Sequence, residues 1–281
     1  MTILPITSVW LTGQQPARIQ RAGRYVPHTS IHPGKMLPDV AAHAITTYTN
    51  PGDLVLDPMC GAGTTLVEAV RAGRDAIGVD IEPRFAELAA ANLALAEQHQ
   101  APGVGLVATG DATRLLDVIP PDAIGRVALV LTSPPYGRGT HGIVRITDKR
   151  VTKRDHVYGD RAQGNLAYAG WTRLLAGFAM IMDNCRQVLA PGGTVVITSR
   201  PVRRTRDDFI DLPSELLRIA VGAGLEPVER AVAMLAAVRD GQIIHRANMF
   251  GLLAARRARS EGIPVSLVTH EDVLVLKVKA A

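Results

Sequence analysis

The amino-acid sequence predicts a single α/β domain built around a mostly parallel sheet with helices on both faces. Short apolar runs alternate with segments of helical spacing along most of the 281 residues. Two of these runs end on an aspartate directly before a turn. The composition, 47% hydrophobic and 20% charged, is that of an ordinary globular protein. Because we find no internal repeat, low-complexity tract or obvious linker, we expect one domain with loop decorations.

The elements follow from this alternation in chain order. Pro38 and Asp39 suit the first turn of a helix, and Pro191-Gly-Gly193 suits the end of one. The predicted helices cover residues 37–48, 64–72, 84–98, 167–189 and 212–222. The predicted strands cover residues 54–56, 76–79, 104–108, 126–131, 194–198, 228–237 and 272–277. We expect an irregular N-terminal arm at 1–31, a main domain at 32–281, and two basic insertions at 137–165 and 239–263.

Composition restricts the function classes further. No apolar run approaches the length of a bilayer, and the N-terminus lacks the basic start of a secretory signal, which predicts a cytoplasmic protein without a membrane partner. Cys60 and Cys185 form neither a disulfide framework nor a metal-binding spacing, so we expect no metal. The net charge of +5 and the clustered arginines favour a nucleic-acid partner, with solvated surface charge as the alternative. The oligomeric state is not indicated.

A glycine-containing turn between a predicted strand and helix is the first chemical motif, DPMCGAGTT at residues 57–65. Such glycines let the backbone approach a ligand at a helix N-terminus. Asp80 ends the next strand, where an acid binds ribose hydroxyls, and Asp111 ends a third. A Walker loop is excluded because no Gly-Lys-Ser/Thr follows, and a third glycine of a dinucleotide fingerprint is missing. An acid heading the loop suits S-adenosylmethionine, which carries an amino acid, a ribose and an adenine but no phosphate.

The second motif, Thr132-Ser133-Pro134-Pro135-Tyr136, directly follows the apolar run 127–131. Taken alone, the two prolines are residues that commonly end a strand. Taken with the glycine turn, they place a hydroxyl, a fixed carbonyl and an aromatic ring at the same edge of the sheet. We therefore interpret this stretch as a second part of one site.

The two motifs together resemble the amino-methyltransferases that methylate exocyclic amines of DNA bases. His32-Pro-Gly-Lys35-Met36 is similar to a further segment of that family, and the likeness extends over residues 28–136. It implies a Rossmann-like class I methyltransferase fold with a seven-stranded sheet and S-adenosylmethionine as cofactor. The cofactor-binding residues that it implies are His32, Lys35, Met36, Asp57, Pro58, Cys60, Gly61, Gly63, Thr64, Thr65, Asp80, Asp111 and Ala112. The catalytic residues that it implies are Ser133, Pro134, Pro135 and Tyr136.

The resemblance also indicates which base and which nucleic acid the protein methylates. In the family, cytosine-N4 enzymes mainly carry Ser at the first position of the Ser-Pro-Pro-Tyr motif. Ser133 therefore favours the N4 amine of cytosine in DNA over the N6 amine of adenine. Enzymes of restriction–modification systems are among those that this resemblance implies. Two departures keep an alternative open: the cofactor motif precedes the catalytic one, and no large target-recognition domain is present. The tRNA guanine-N2 methyltransferases share this order. The nucleic-acid contacts that we expect after the catalytic turn are Arg138, His141, Arg145, Lys149, Arg150, Lys153 and Arg154.

Overall fold

The computed structural model describes residues 7–136, 143–147, 150–154, 165–203, 208–246 and 249–278. Its strands are β1 Val9–Trp10, β2 Leu54–Asp57, β3 Asp75–Asp80, β4 Gly105–Thr109, β5 Val127–Thr132, β6 Ile143–Thr147, β7 Arg150–Arg154, β8 Leu189–Ser199, β9 Val202–Arg203, β10 Phe209–Ile210, β11 Leu225–Met234, β12 Ala237–Arg239, β13 Gln242–Ile244 and β14 His270–Val278. Its α-helices are α1 Ala17–Arg21, α2 Pro38–Tyr48, α3 Thr64–Arg71, α4 Pro83–Gln98, α5 Leu115–Val118, α6 Trp171–Val188, α7 Leu212–Gly222 and α8 Met249–Ser260.

The central sheet has eight strands in the order β1-β11-β14-β8-β5-β2-β3-β4. The five strands from β8 to β4 run parallel to their neighbours, whereas β14 is antiparallel to both β8 and β11. The predicted α/β class with a mostly parallel sheet is therefore confirmed. The strand beyond the expected seven is the two-residue β1, which pairs with β11.

Helices cover both faces of the sheet, and alternating residues of each strand separate two cores. Val55, Leu129 and Val196 pack on the side of α2, α3 and α4. Their chain neighbours Leu56 and Val130 pack on the opposite side, against α6 and α7. This alternation follows from the two-residue period of a strand. Strands buried on both faces position their carboxyl ends rigidly, and the site described below lies there.

Proline and aspartate begin several helices as the sequence predicts. Pro38 and Pro83 occupy the first turns of α2 and α4, where a missing backbone donor costs nothing. The Asp211 side chain accepts a hydrogen bond from the backbone N–H of Ser214 at the start of α7. No helix within the described residues is long and apolar enough to cross a membrane.

The N-terminal arm is more ordered than the irregular segment that we expected. β1, α1 and a 3-10 helix at Pro27–Ile31 lie within it, so the prediction of an irregular stretch is wrong for these residues. The Trp10 side chain is 2% exposed, and the Tyr25 hydroxyl donates a 2.5 Å hydrogen bond to the buried Glu68 carboxylate. Arg24 forms an ion pair with the same carboxylate. Contacts distant in sequence order this segment, and local periodicity does not reveal them. The boundary at residue 31 stays a prediction.

Both basic insertions contain regular structure where the structure describes them. β6 and β7 form an antiparallel hairpin within 137–165, a stretch that we expected to be aperiodic. The second insertion, 239–263, holds β13 and α8. Strand bounds also differ from the expected ones: β8 begins at Leu189, and β11 begins at Leu225.

Candidate functional site

A cavity of about 1100 Å³ opens at the carboxyl ends of β2, β3 and β5, where ligands bind in open α/β sheets. Its wall includes the glycine turn, the ends of β3 and β4, and the Ser133–Tyr136 turn. Of the expected cofactor residues, His32, Lys35, Met36, Asp57, Pro58, Cys60, Gly61, Thr64, Thr65, Asp80, Asp111 and Ala112 line it. The structure therefore brings both sequence motifs to one space.

The glycine turn requires glycine at two positions. Gly61 and Gly63 have φ angles of 52° and 76°, in the left-handed region that favours glycine. A Cβ atom on Gly61 would lie 2.6 Å from Nε2 of His32, and one on Gly63 would lie 2.9 Å from Cβ of Ala89 on α4. Gly63 is not among the residues of the cavity wall: it allows the turn to pack against α4, while Gly61 faces the cavity.

Asp57 lies at the end of β2 with both carboxylate oxygens engaged. Oδ2 accepts a 2.6 Å hydrogen bond from the Thr65 hydroxyl, and Oδ1 accepts a 3.1 Å hydrogen bond from the Met59 N–H. Burial raises the pKa of Asp57 to about 6, although the hydrogen bond from Thr65 opposes the shift. A buried carboxylate with fixed oxygens is suited to a cationic ligand group.

Asp80 lies at the end of the neighbouring strand β3. Its Oδ2 accepts a 2.8 Å hydrogen bond from the Gly61 N–H, and its Oδ1 accepts a 2.9 Å hydrogen bond from the Glu82 N–H. Burial raises its pKa to about 6, while these two backbone hydrogen bonds lower it. Asp111, after β4, is held locally because Oδ1 accepts 2.9 Å and 2.8 Å hydrogen bonds from the Thr113 N–H and hydroxyl. Three neighbouring strands thus each present an acid at one edge of the sheet.

The segment before α2 forms the opposite wall of the cavity. The His32 ring packs edge-on against Phe85, with 4.3 Å between ring centroids. Lys35 donates a hydrogen bond to the carbonyl of His32. Burial, together with the nearby charge of Arg21, lowers the pKa of Lys35 to about 8. A half-buried cation here is suited to a ligand carboxylate.

Arg21 is not on the cavity wall itself, but it binds Met36 and Thr64, which are, and it was not among the expected site residues. Its guanidinium donates hydrogen bonds to the Thr64 hydroxyl at 3.2 and 3.3 Å and to the Met36 carbonyl at 2.5 Å. It thereby links the arm to the start of α3. No motif surrounds this residue, so only its spacing from other basic residues could have drawn attention to it.

The Ser133–Tyr136 turn lies beside the glycine turn because β5 and β2 are neighbours in the sheet. Ser133, Pro134, Pro135 and Tyr136 all line the cavity. The Tyr136 ring is 7% exposed, and the guanidinium of Arg200 lies over it, 5.1 Å from the ring centroid. Thr132 directly precedes this turn, and its buried hydroxyl has no hydrogen-bond partner among the described residues.

Several polar residues of the cavity wall were not predicted from the sequence. Asn165 donates a 2.7 Å hydrogen bond to the Glu82 carboxylate, while Arg200 and Glu271 lie at the ends of β8 and β14. Arg200 directly follows a buried apolar run, as Ser133 does, and that position could have identified it. Glu271 is the second residue of β14, and nothing in the sequence marks it.

The expected nucleic-acid contacts are described only in part. Arg138, His141 and Lys149 lie outside the described residues. Arg145 is in β6, and Arg150, Lys153 and Arg154 are in β7. In the second insertion, α8 contributes Ala254, Ala255 and Ala258 to the cavity wall, and its arginines 256, 257 and 259 are exposed. A basic helix therefore borders the cavity.

Comparison with known proteins supports the resemblance to methyltransferases. Residues 4–91 match the model of the DNA methylase family. A type II methyltransferase, M.MjaII of Methanocaldococcus jannaschii, is 42% identical over 55 residues, 19% of this chain and 10% of the relative. The chain is similar to the S-adenosylmethionine-dependent amino-methyltransferases, as its two motifs indicate. The comparisons support S-adenosylmethionine as the cofactor, and the site fits it: a glycine-bounded cavity, acids at three strand ends, and no lysine-bearing phosphate loop in the sequence.

A second relative acts on RNA. The tRNA (guanine(10)-N2)-dimethyltransferase of Methanocaldococcus jannaschii is 37% identical over 110 residues, 39% of this chain and 31% of the relative. The chain thus spans about a third or less of the length of these curated relatives.

Solved structures agree with the predicted fold. TrmN from Thermus thermophilus has a TM-score of 0.53 at 17% identity, covering 93% of this chain and 53% of that one. A methyltransferase from Pyrococcus furiosus has a TM-score of 0.50 at 12% identity, covering 93% of both chains. The predicted Rossmann-like methyltransferase fold is confirmed.

Proposed function

We propose that this chain transfers a methyl group from S-adenosylmethionine to the exocyclic amine of a nucleobase. One observation carries the proposal: Asp57 and the Ser133–Tyr136 turn, on adjacent strands β2 and β5, open onto one cavity. The bound cofactor supplies an electrophilic methyl group on a sulfonium. The remaining chemistry belongs to the chain, whose residues hold the cofactor and position the amine.

An exocyclic amine is a poor nucleophile because its lone pair is delocalised into the ring. The Ser133 hydroxyl and the Pro134 carbonyl supply two acceptors for its N–H bonds, and the prolines fix their directions. Accepting both N–H bonds draws the nitrogen toward tetrahedral geometry and frees the lone pair. The Tyr136 ring provides a surface on which an extruded base stacks. Holding amine and methyl donor in line supplies much of the acceleration.

We propose cytosine-N4 in DNA as the target, with adenine-N6 as the next candidate. Ser133 at the first position of the tetrad supports cytosine. The basic residues of the β6–β7 hairpin and the exposed arginines of α8 suit a phosphate backbone. A cytoplasmic location and a place in a restriction–modification system remain parts of this proposal.

Guanine-N2 in tRNA is the second candidate, because one specific observation favours it. The match to the tRNA guanine-N2 relative extends over 110 residues, twice the 55 residues matched to the type II methyltransferase. The order of the two motifs agrees with this class as well. The two candidates predict different products in different polymers.

The test is nucleoside analysis of a host that expresses the chain. DNA and total RNA are digested separately, and methylated nucleosides are quantified by mass spectrometry against a host that expresses Ser133→Ala. We expect N4-methylcytosine in the DNA digest. N2-methylguanosine in the RNA digest would assign the second candidate. An unchanged nucleoside profile in both polymers would contradict the proposal.

A further inference from the structure

Arg200 and Glu271 are two residues of opposite charge on the wall of the cavity, outside both sequence motifs. Arg200 follows β8 directly, and Glu271 is the second residue of β14. These strands are antiparallel with Asp272 opposite Ser199, so one further step along the ladder brings Glu271 opposite Arg200. Residues directly opposite in an antiparallel pair point to the same face. The register therefore places the two residues side by side on one face, although their charged groups are not in an ion pair.

Arg200 lies close to the catalytic turn. Its guanidinium is 5.1 Å from the centroid of the Tyr136 ring, and Ser133 and Pro134 line the same cavity. Glu271 is half-buried; burial raises the pKa of its carboxyl, and the nearby charge of the Arg200 guanidinium opposes that shift. Arg200 is thus the residue that contacts the Tyr136 ring, on which the base is proposed to stack. Glu271 provides a charge opposite to that of Arg200.

The N–H groups of Arg200 and the carboxylate oxygens of Glu271 are not hydrogen-bonded to other described residues. Within the part of the chain that the structure describes, no hydrogen bond and no ion pair within 4.0 Å joins Arg200 or Glu271 to another protein group. Both side chains face the cavity instead. A half-buried guanidinium with free N–H donors is costly unless a ligand completes its hydrogen bonds.

We infer that Arg200 reads the edge of the target base next to the reacting amine, and that Glu271 positions it. This inference rests on the proposed function. A planar guanidinium offers two parallel N–H donors. Beyond its N4 amine, cytosine presents two consecutive acceptors, N3 and O2, which match that fork.

The other amines do not offer this match. Adenine presents one acceptor, N1, followed by a C–H, and guanine presents an N1–H donor on one side of its N2 amine. A guanidinium would meet a single acceptor in adenine and would oppose the N1–H donor in guanine. Arg200 therefore adds selectivity for cytosine, independently of Ser133.

A base analogue separates this role from a structural one. The substrate is DNA with cytosine or 3-deazacytosine at the position that the wild type methylates; the analogue keeps the amine and O2 but replaces N3 by C–H. We expect Arg200→Ala to lose about ten- to hundredfold in kcat/KM on cytosine and less than about threefold on the analogue. Glu271→Gln should reduce the preference of the enzyme for cytosine over 3-deazacytosine. Arg200→Lys should retain part of the preference that Arg200→Ala loses. Cofactor affinity should not change.

The matched control is Arg218→Ala, an exposed arginine that pairs with Glu215 on α7, and it should leave both rates unchanged. Equal losses on the two substrates in Arg200→Ala would overturn the inference, because Arg200 would then support only the Tyr136 ring. If the wild-type protein methylates no cytosine, that result contradicts the proposed function itself, and the inference on Arg200 falls with it.

Discussion

The backbone N–H of Gly61 donates a 2.8 Å hydrogen bond to Oδ2 of Asp80, which joins the turn after β2 to the end of β3. One carboxylate oxygen of Asp80 thus orders the glycine turn, and the other accepts from the Glu82 N–H. The turn is fixed before a ligand enters. We attribute the rigidity of the cofactor end of the cavity to this link and to the hydrogen bond between Thr65 and Asp57.

Asp57→Asn should weaken S-adenosylmethionine binding by about tenfold or more, because a charge-assisted contact contributes about 1.5–3 kcal/mol. The amide keeps the shape of the carboxylate and removes its charge. Isothermal titration calorimetry measures the affinity, and circular dichroism checks the fold. Asp122→Asn, an exposed aspartate paired with Arg126, is the matched control. Wild-type affinity in a folded Asp57→Asn protein would refute the role of Asp57.

Cofactor affinity should fall as the pH drops through about 6. Asp57 and Asp80 both have a pKa near 6, so they are ionised at pH 7.5 and take up protons below 6. A cationic ligand favours the ionised forms and therefore binds with the loss of any bound proton, which weakens binding at low pH. We expect up to about tenfold loss per pH unit below this range. Calorimetry between pH 5 and 7.5 measures it, and Asp57→Asn should flatten the curve. A flat wild-type curve would contradict the assignment.

Ser133→Ala should reduce kcat while leaving cofactor affinity unchanged. It removes one of two acceptors for the amine, and loss of one preorganised polar group costs about 2–4 kcal/mol in the transition state, or about thirty- to a thousandfold in rate. Single-turnover methylation with labelled cofactor measures the step. Tyr136→Ala should also weaken base binding, because the stacking surface is lost. Full activity in Ser133→Ala would overturn the mechanism.

The basic hairpin should set the salt dependence of nucleic-acid binding. Replacing Lys149, Arg150, Lys153 and Arg154 by Gln removes four cations, so binding should weaken on all sequences and the slope of log K against log salt should fall by up to about 3–4. Fluorescence anisotropy from 50 to 300 mM salt measures the slope. The control replaces four exposed arginines elsewhere, Arg114, Arg126, Arg173 and Arg218. Equal slopes for the two variants would assign the hairpin charges to solvent.

The sequence predicted several residues of the cavity wall because they follow buried strands. Asp57, Asp80 and Ser133 each end an apolar run, and parallel neighbours bring such ends together without further information. Arg200 and Glu271 could not be paired in advance, since their proximity depends on the register of β14 against β8, seventy residues apart. The order of the N-terminal arm likewise depends on Glu68, far along the chain. Local patterns predict strand ends, but non-local pairing requires the structure.

The most direct measurement is the identity of the methylated base formed by the purified protein. Labelled S-adenosylmethionine is incubated with the protein and DNA or tRNA, and the digested nucleosides are separated by mass spectrometry. We expect label in N4-methylcytosine from DNA. In Ser133→Ala this label should be lost while cofactor binding stays intact. Label in N2-methylguanosine from tRNA would move the target to the second candidate. Absence of label from every nucleoside, while the protein binds the cofactor, would contradict base methylation.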